Sequence, residues 1–141
     1  PYVPDYHCRP LLRVITGGDA LSFSEDQLQG FFAQPWQLSP RADRMGARLC
    51  GAALTVPDLA PARQWSQGVS NGAIQVPADG QPIILLADRQ TMGGYPLLGW
   101  LHPLDLGRLA QCPAHHELRF TAVSLSDAQD ELREFYRFFR E

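Results

Sequence analysis

Polar side chains that could bind a small substrate are concentrated between residues 66 and 96. Gln75 lies in the short apolar run 73–76, where an extended strand would place it on the face opposite to Ile74 and Val76. Burying an amide without partners costs about 1 to 3 kcal/mol, so Gln75 must either join a structural hydrogen-bond network or bind a ligand. The residues alone leave both interpretations open.

A second polar group follows the next apolar run. Residues 88–91, Asp-Arg-Gln-Thr, come directly after the run 83–87, and Gly93-Gly94 follows shortly afterwards. Charged residues at the end of a strand, beside glycines that let backbone approach a ligand, are typical of a binding rim. The alternative is that Asp88 and Arg89 only cap a loop.

The segment 39–48, SPRADRMGAR, carries three arginines and one aspartate in a lightly charged chain. Guanidinium groups bind carboxylates through paired N–H donors, so this segment could recognise a substrate that carries a carboxylate. Equally, Asp43 could hold Arg44 or Arg48 in a structural ion pair.

Two familiar patterns do not support chemistry here. Residues 68–72 match G-x-S-x-G, the nucleophile motif of α/β-hydrolases, but that motif needs a following helix and an extended run follows Ser70 instead. We predict that Ser70 is not a nucleophile. The three cysteines contain no C-x-x-C pair and the four histidines show no ligand spacing, so we predict reduced thiols and no metal site.

Length and charge restrict the class of protein. A chain of 141 residues is one domain's worth of protein, and a net charge of −3 without a basic run argues against nucleic acid as a partner. Apolar runs are too short to span a bilayer and the N-terminus lacks a signal-peptide layout, so we expect no membrane segment and a cytoplasmic location.

Local patterns predict the elements that must position these polar groups. We expect an extended arm over residues 1–10 and a single domain over 11–141. Strands are predicted at 11–16, 47–56, 73–76, 83–87, 97–102 and 117–123, and helices after Ser24, at 104–110 and at 126–139 with Ser126 as N-cap. Several short strands separated by Gly, Pro and Asp turns indicate a mainly β fold, either a barrel or a sandwich.

Four blocks in order make the chain similar to a known family. They are SPRADRMGARL at 39–49, GAIQVP at 72–77, GQPI at 80–83 and DRQTMGGYP at 88–96. Together they resemble the KipA family, whose members are also called the C subunit of 5-oxoprolinase, allophanate hydrolase subunit 2 or biotin-dependent carboxyltransferase. Only the C-terminal half of that family's usual chain is matched.

The resemblance implies a cyclophilin-like β-barrel with two or three short helices. It further implies a component of an ATP-hydrolysing 5-oxoprolinase, an amide- or lactam-acting hydrolase that opens 5-oxoproline to glutamate together with KipI-type and LamB/YcsF-type subunits. On this interpretation the domain binds no cofactor, the complex uses ATP, biotin could reside on a partner, and the isolated domain is inactive. The alternatives are a non-catalytic module that antagonises a KipI-type kinase inhibitor, and the carboxyltransferase-like domain of a urea carboxylase relative.

The resemblance also implies the residues of the site. Asp88 would be the catalytic residue, as a base or by orienting Arg89. The substrate-binding residues would be Arg44, Gln75, Gln81, Thr91 and Tyr95, with Arg44 on a carboxylate and Gln75 and Thr91 on an amide. Met92, Ala47 and Cys50 depart from the family's usual residues, which affects substrate preference.

Overall fold

Nine strands and three α-helices are found in the computed structural model, which describes residues 11–41, 45–58, 67–68, 70–87 and 92–140. The strands are β1 Leu11–Thr16, β2 Trp36–Leu38, β3 Gly46–Cys50, β4 Gln67–Gly68, β5 Ala73–Gln75, β6 Ile83–Leu85, β7 Met92–Gly93, β8 Leu97–Leu101 and β9 Glu117–Ala122. The helices are α1 Glu25–Ala33, α2 Leu106–Ala110 and α3 Leu125–Arg140. Short 3-10 turns precede α1 and α2, at Ala20–Ser22 and Pro103–Asp105.

Seven of these strands close into a barrel in the order β1-β8-β5-β6-β3-β2-β9, while β4 and β7 form a separate two-stranded sheet. The barrel closes where β9 runs parallel to β1, with Leu12 opposite Phe120, and its other pairs are antiparallel. The predicted mainly β barrel is therefore confirmed, and the barrel rather than the sandwich is the correct alternative. The arm predicted at 1–10 lies outside the described residues.

Alternating side chains fill the barrel. In β1 and β9 the buried positions are every second residue, as a strand with one face on the core requires. Helix α1 covers β9, where Phe31 stacks on Phe120 with ring centroids 4.9 Å apart. Trp36 lies 5.8 Å from the Phe31 ring and donates its indole N–H to the Phe31 carbonyl at 3.0 Å. The indole is thus buried without losing its hydrogen bond.

Helix α1 forms as its sequence predicts. The Ser24 hydroxyl accepts a hydrogen bond from the Gln27 N–H at 3.2 Å, and Glu25 and Asp26 lie in the first turn. The side-chain cap and the acidic residues both stabilise a helix N-terminus. The helix ends at Ala33, before Pro35.

Three local predictions were wrong. Strand β3 ends at Cys50 instead of continuing to residue 56, and β2 was not predicted at all. The N-cap of α3 is Ser124 rather than Ser126: its hydroxyl accepts from the Asp127 N–H at 3.1 Å, and the helix already begins at Leu125.

Glutamine amides explain where β3 stops. The Gln34 amide accepts from the Ala52 N–H at 2.8 Å and donates to the Ala52 carbonyl at 3.1 Å, while the Gln27 amide oxygen accepts from the Thr55 N–H at 2.7 Å. These bonds replace the strand partners that residues 51–55 would otherwise need. The segment is consequently irregular yet held in place.

The turn between β5 and β6 depends on Gly80. Its φ is +75°, and a Cβ there would lie 2.3 Å from the Leu54 carbonyl oxygen. Asp79 supports the turn by accepting from the Gln81 N–H at 3.0 Å. This turn is one of the Gly, Pro and Asp turns predicted between the short strands.

Candidate functional site

Gln75 occupies an irregular point of the barrel wall. Between β5 and β8 the register shifts after Ile74, so that Ile74 lies opposite Gly99 but Gln75 lies opposite Leu97. Because consecutive residues of β5 pair with Gly99 and then Leu97, the extra residue of this bulge is Leu98 in β8. All four residues from Ala73 to Val76 are buried, so both sides of this run are covered.

Gln75 is only 6% exposed, and its Nε2 has no hydrogen-bond partner among the described residues. Most buried polar atoms in folded proteins are paired, because an unpaired donor loses its bonds to water without replacement. Nε2 is therefore a donor that a ligand's oxygen could satisfy.

Tyr95 lies at the same end of β5. The Val76 N–H donates to the Pro96 carbonyl at 3.0 Å. Because Val76 follows Gln75 and Pro96 follows Tyr95, this bond holds the backbone at the two residues close together. The Tyr95 side chain is about half exposed. Two of the predicted binding residues are thus neighbours, one buried and one at the surface.

The segments that carry the other predicted residues begin beside each other. Arg44, Asp88 and Thr91 lie outside the described residues, but the chain on either side of them is described. Gly46 pairs with Leu85 in the sheet, and the Leu86 N–H donates to the Met45 carbonyl at 3.1 Å.

The Gly72 N–H also bonds the Leu85 carbonyl, at 2.7 Å. The arginine-rich segment and the Asp-Arg-Gln-Thr segment therefore leave the barrel at adjacent points, although more than 40 residues of sequence separate them. Gln75 lies at the opposite end of the short strand β5, three residues beyond Gly72.

Gln81 lies apart from these segments and is already engaged. Its amide oxygen accepts from the Gly51 N–H at 3.0 Å, and its Nε2 donates to the Gly51 carbonyl at 3.0 Å. This two-point contact joins the end of β3 to the start of β6. The geometry favours an architectural role for Gln81, and its part in substrate binding stays a prediction.

Ser70 is exposed and followed by a turn and then β5, not by a helix. This arrangement lacks the strand–serine–helix geometry of a nucleophile elbow.

A charged cluster that the sequence did not predict lies between β1, the 3-10 turn before α2, and α3. Asp105 is 1% exposed and accepts from the Arg13 backbone N–H at 2.8 Å, from its Nε at 3.0 Å and from its Nη2 at 2.9 Å. Arg13 also donates to Glu131 through Nη1. These partners are 92 and 118 residues apart, so no local spacing could have revealed them.

Electrostatics within this cluster keep Asp105 ionised. Burial alone would raise the pKa of Asp105, but hydrogen bonds from the Arg13 side chain and backbone, with the charges of Arg13 and Arg108, hold that pKa below its ordinary value. The same contacts raise the pKa of Arg13. The pair is a fixed ionic link between β1 and the turn before α2.

His102 is fully buried beside this pair. Its Nδ1 accepts from the Leu104 N–H at 3.1 Å, so the neutral ring carries its proton on Nε2. Nε2 lies 3.5 Å from a Glu131 carboxylate oxygen without hydrogen-bond geometry. Burial, reinforced by the charge of Arg13, lowers the pKa of His102. In His102, Nδ1 is therefore paired, whereas Nε2 has no hydrogen-bond partner among the described residues.

Within the described part of the chain, no three His, Cys, Asp or Glu residues group closely enough to hold a metal ion. Cys50 and Cys112 are free thiols. The candidate hydrogen-bonding groups of the site are the buried Gln75 amide and the polar residues of the two segments that adjoin β3 and β6 in the sequence.

These features define a mainly β barrel domain in which the Gln75 amide nitrogen has no partner among the described residues and two polar segments are attached at adjacent points of the sheet. The chain belongs to the carboxyltransferase family: the family described as "Carboxyltransferase domain, subdomain A and B" matches residues 1–122. It is 35% identical over 130 residues to the C subunit of 5-oxoprolinase from Escherichia coli K12, covering 92% of this chain and 41% of that protein. It is 37% identical over 120 residues to the Haemophilus influenzae protein of the same name, covering 85% and 38%.

Solved structures share the fold. The protein TTHA0988 superimposes with a TM-score of 0.70 at 30% identity, over 86% of this chain and 23% of its own. The Kluyveromyces lactis urea carboxylase gives a TM-score of 0.69 at 23% identity over 84% of this chain and 11% of its own, a likeness of fold alone. The chain spans about two fifths of the curated relatives that it matches.

Among the described helices, none combines the length and the apolar character needed to cross a membrane.

Proposed function

We propose that this chain is the barrel domain of the C subunit of a 5-oxoprolinase and that Gln75 binds the lactam carbonyl of 5-oxoproline. The observation that carries the proposal is the buried Nε2 donor of Gln75 without a partner among the described residues. A lactam offers one carbonyl acceptor, and accepting a bond from a desolvated amide polarises that carbonyl for attack. Two curated relatives with 35% and 37% identity support the assignment to this enzyme class.

The remaining polar residues fit the rest of the substrate. 5-Oxoproline carries a carboxylate, for which Arg44 offers the complementary guanidinium group. Asp88 is the residue that we assign to proton transfer, and Thr91 and Tyr95 contribute hydroxyl groups. The adjacent departure of the two segments next to Met45 and Leu86 supports a shared site.

The wider setting follows from the same proposal. The partners are a KipI-type and a LamB/YcsF-type subunit, ATP is consumed by the assembled complex, and any biotin belongs to a partner. The cytoplasm, where ATP is available, is the compartment that we propose. Because the chain spans two fifths of its relatives, we expect no turnover from the chain alone.

The test is 5-oxoproline-dependent ATP hydrolysis by the full-length C subunit that contains this chain, reconstituted with the two partner subunits. Gln75→Met removes the donor at nearly constant volume, so kcat/KM should fall by about tenfold or more, the value of one buried hydrogen bond. Gln34→Met is the matched control, because the Gln34 amide contacts the Ala52 backbone at the surface and should leave kcat/KM unchanged. An unaltered kcat/KM in Gln75→Met would overturn the role of Gln75.

A further inference from the structure

The last two turns of helix α3 carry an apolar surface that the barrel does not cover. Ala128 is buried and Leu132 is half-buried against the barrel, and the same helix face continues to Phe135 and Phe139. We call Phe135, Tyr136, Phe138 and Phe139 the aromatic tip; their exposed fractions are 42%, 56%, 77% and 68%. Together they expose roughly 500 Å² of aromatic surface, at the upper end of what a monomer usually leaves in water.

A groove elsewhere on the same molecule is also apolar and open. It has a volume of about 440 Å³ and lies between α1 and β9, lined by Glu25, Leu28, Gln29, Phe32, Ala33, Phe120, Thr121 and Ala122. We call it the α1–β9 groove. Its wall and floor are mainly aliphatic and aromatic, and Glu25 at the first residue of α1 is its charged member.

The aromatic tip and the groove do not meet within one chain. Helix α3 is anchored through Glu131 to Arg13 and lies next to His102, and no residue of the tip lines the groove. We propose that two copies of this chain form a two-fold dimer in which the aromatic tip of each packs into the α1–β9 groove of the other. One exchange covers both apolar surfaces, and the two-fold arrangement closes the assembly.

Area and charge both favour a second copy as the occupant. Two tips and two grooves would bury roughly 1,200 Å² in total, at the lower end of the usual size of a specific interface. Arg133 borders the tip one turn before Tyr136, and its contact with Asp130, 3.3 Å long, is fully at the surface and therefore weak. It can turn to Glu25 of the other copy, which gives each contact one opposite-charge pair.

Sedimentation velocity over a concentration series up to about 100 µM tests the dimer with the chain itself. The wild type should show a reversible monomer–dimer equilibrium, and Phe139→Glu should be monomeric throughout. Glu25→Arg and Arg133→Glu should each raise the dimer Kd about tenfold, since like charges then meet in both contacts. An equimolar mixture of these two variants should restore the wild-type Kd, because each groove then meets a tip of opposite charge.

A matched control separates this arrangement from simpler ones. Asp26→Arg makes the same charge change as Glu25→Arg in the first turn of α1 but outside the groove lining. It should leave the Kd within about twofold. A monomeric wild type, a dimer indifferent to Glu25→Arg, an open-ended assembly, or a mixture that fails to restore association would each overturn the proposal. Thermal unfolding by circular dichroism verifies that every variant is folded.

Discussion

Replacing Gln75 by methionine should stabilise the fold while weakening substrate binding. The Gln75 side chain is 6% exposed and its Nε2 has no partner among the described residues, so the native state carries the cost of one desolvated donor. That cost is about 1 to 3 kcal/mol. Methionine has nearly the same length and volume and no polar atom, and it adapts to irregular space without forcing neighbouring residues apart.

We expect a gain of about 1 to 2 kcal/mol in the free energy of unfolding for Gln75→Met, because part of the relief is lost to imperfect packing. In a domain of 141 residues this corresponds to a rise of roughly 3 to 7 °C in Tm. Urea unfolding followed by circular dichroism gives the free energy, and an unchanged m-value would show that the denatured state is unaltered.

The opposite result would be informative. A loss of more than about 1 kcal/mol in Gln75→Met would mean that the amide is already paired in the folded protein, because removing a satisfied buried amide destabilises. The conclusion that Gln75 Nε2 is an unpaired hydrogen-bond donor in the folded protein would then be refuted. Gln75→Leu gives an independent check, since it also removes the donor but adds a branch at the bulge.

Three further changes test other parts of the structure. Ser124→Ala should cost about 1 kcal/mol in urea unfolding by removing the N-cap of α3, whereas Ser126→Ala should cost little; equal effects would contradict the assigned cap. Gly80→Ala should cost about 2 kcal/mol or more, because the +75° φ is unfavourable for alanine and its Cβ would collide with Leu54; a neutral effect would show that this turn relaxes freely. The lowered pKa of His102 means that its contribution to stability is complete above pH 6.5, its ordinary pKa, and is lost as pH falls through the lower folded pKa. Tm measured between about pH 7.5 and pH 5 should thus fall more steeply in the wild type than in His102→Asn, and identical slopes would exclude the histidine as the cause.

Local sequence patterns correctly predicted the elements whose formation depends on interactions between residues close in the sequence. The strand at 11–16 and the helix capped by Ser24 were confirmed, and one of the predicted Gly and Asp turns formed at Asp79-Gly80, because capping bonds and backbone preferences act within a few residues. The strand predicted to reach residue 56 failed for a non-local reason. Its apolar composition suits a strand, but the side-chain amides of Gln27 and Gln34 bond the backbone at Ala52 and Thr55 in place of a neighbouring strand.

The candidate site was predictable in composition but not in arrangement. The sequence singled out Gln75 as an amide that needs a partner, and the structure buries it with Nε2 unpaired among the described residues. It did not predict the bulge, since a register shift depends on how β5 meets β8 rather than on either strand alone. Gln81 was predicted to bind substrate together with Gln75 because both are polar residues in blocks that resemble the family. In the structure the Gln81 amide instead bonds the Gly51 backbone, whereas the Gln75 Nε2 has no partner among the described residues.

The Arg13–Asp105 pair shows how distant residues can control which surfaces the barrel presents. Asp105 is almost fully buried, and three hydrogen bonds from Arg13 compensate for its desolvation. Arg13 in turn binds Glu131, which fixes the first half of α3 against the barrel. Helix α3 continues without a break beyond Glu131 to the aromatic tip, whose side chains are exposed. The ionic link therefore fixes the helix that carries this apolar surface without covering the surface itself.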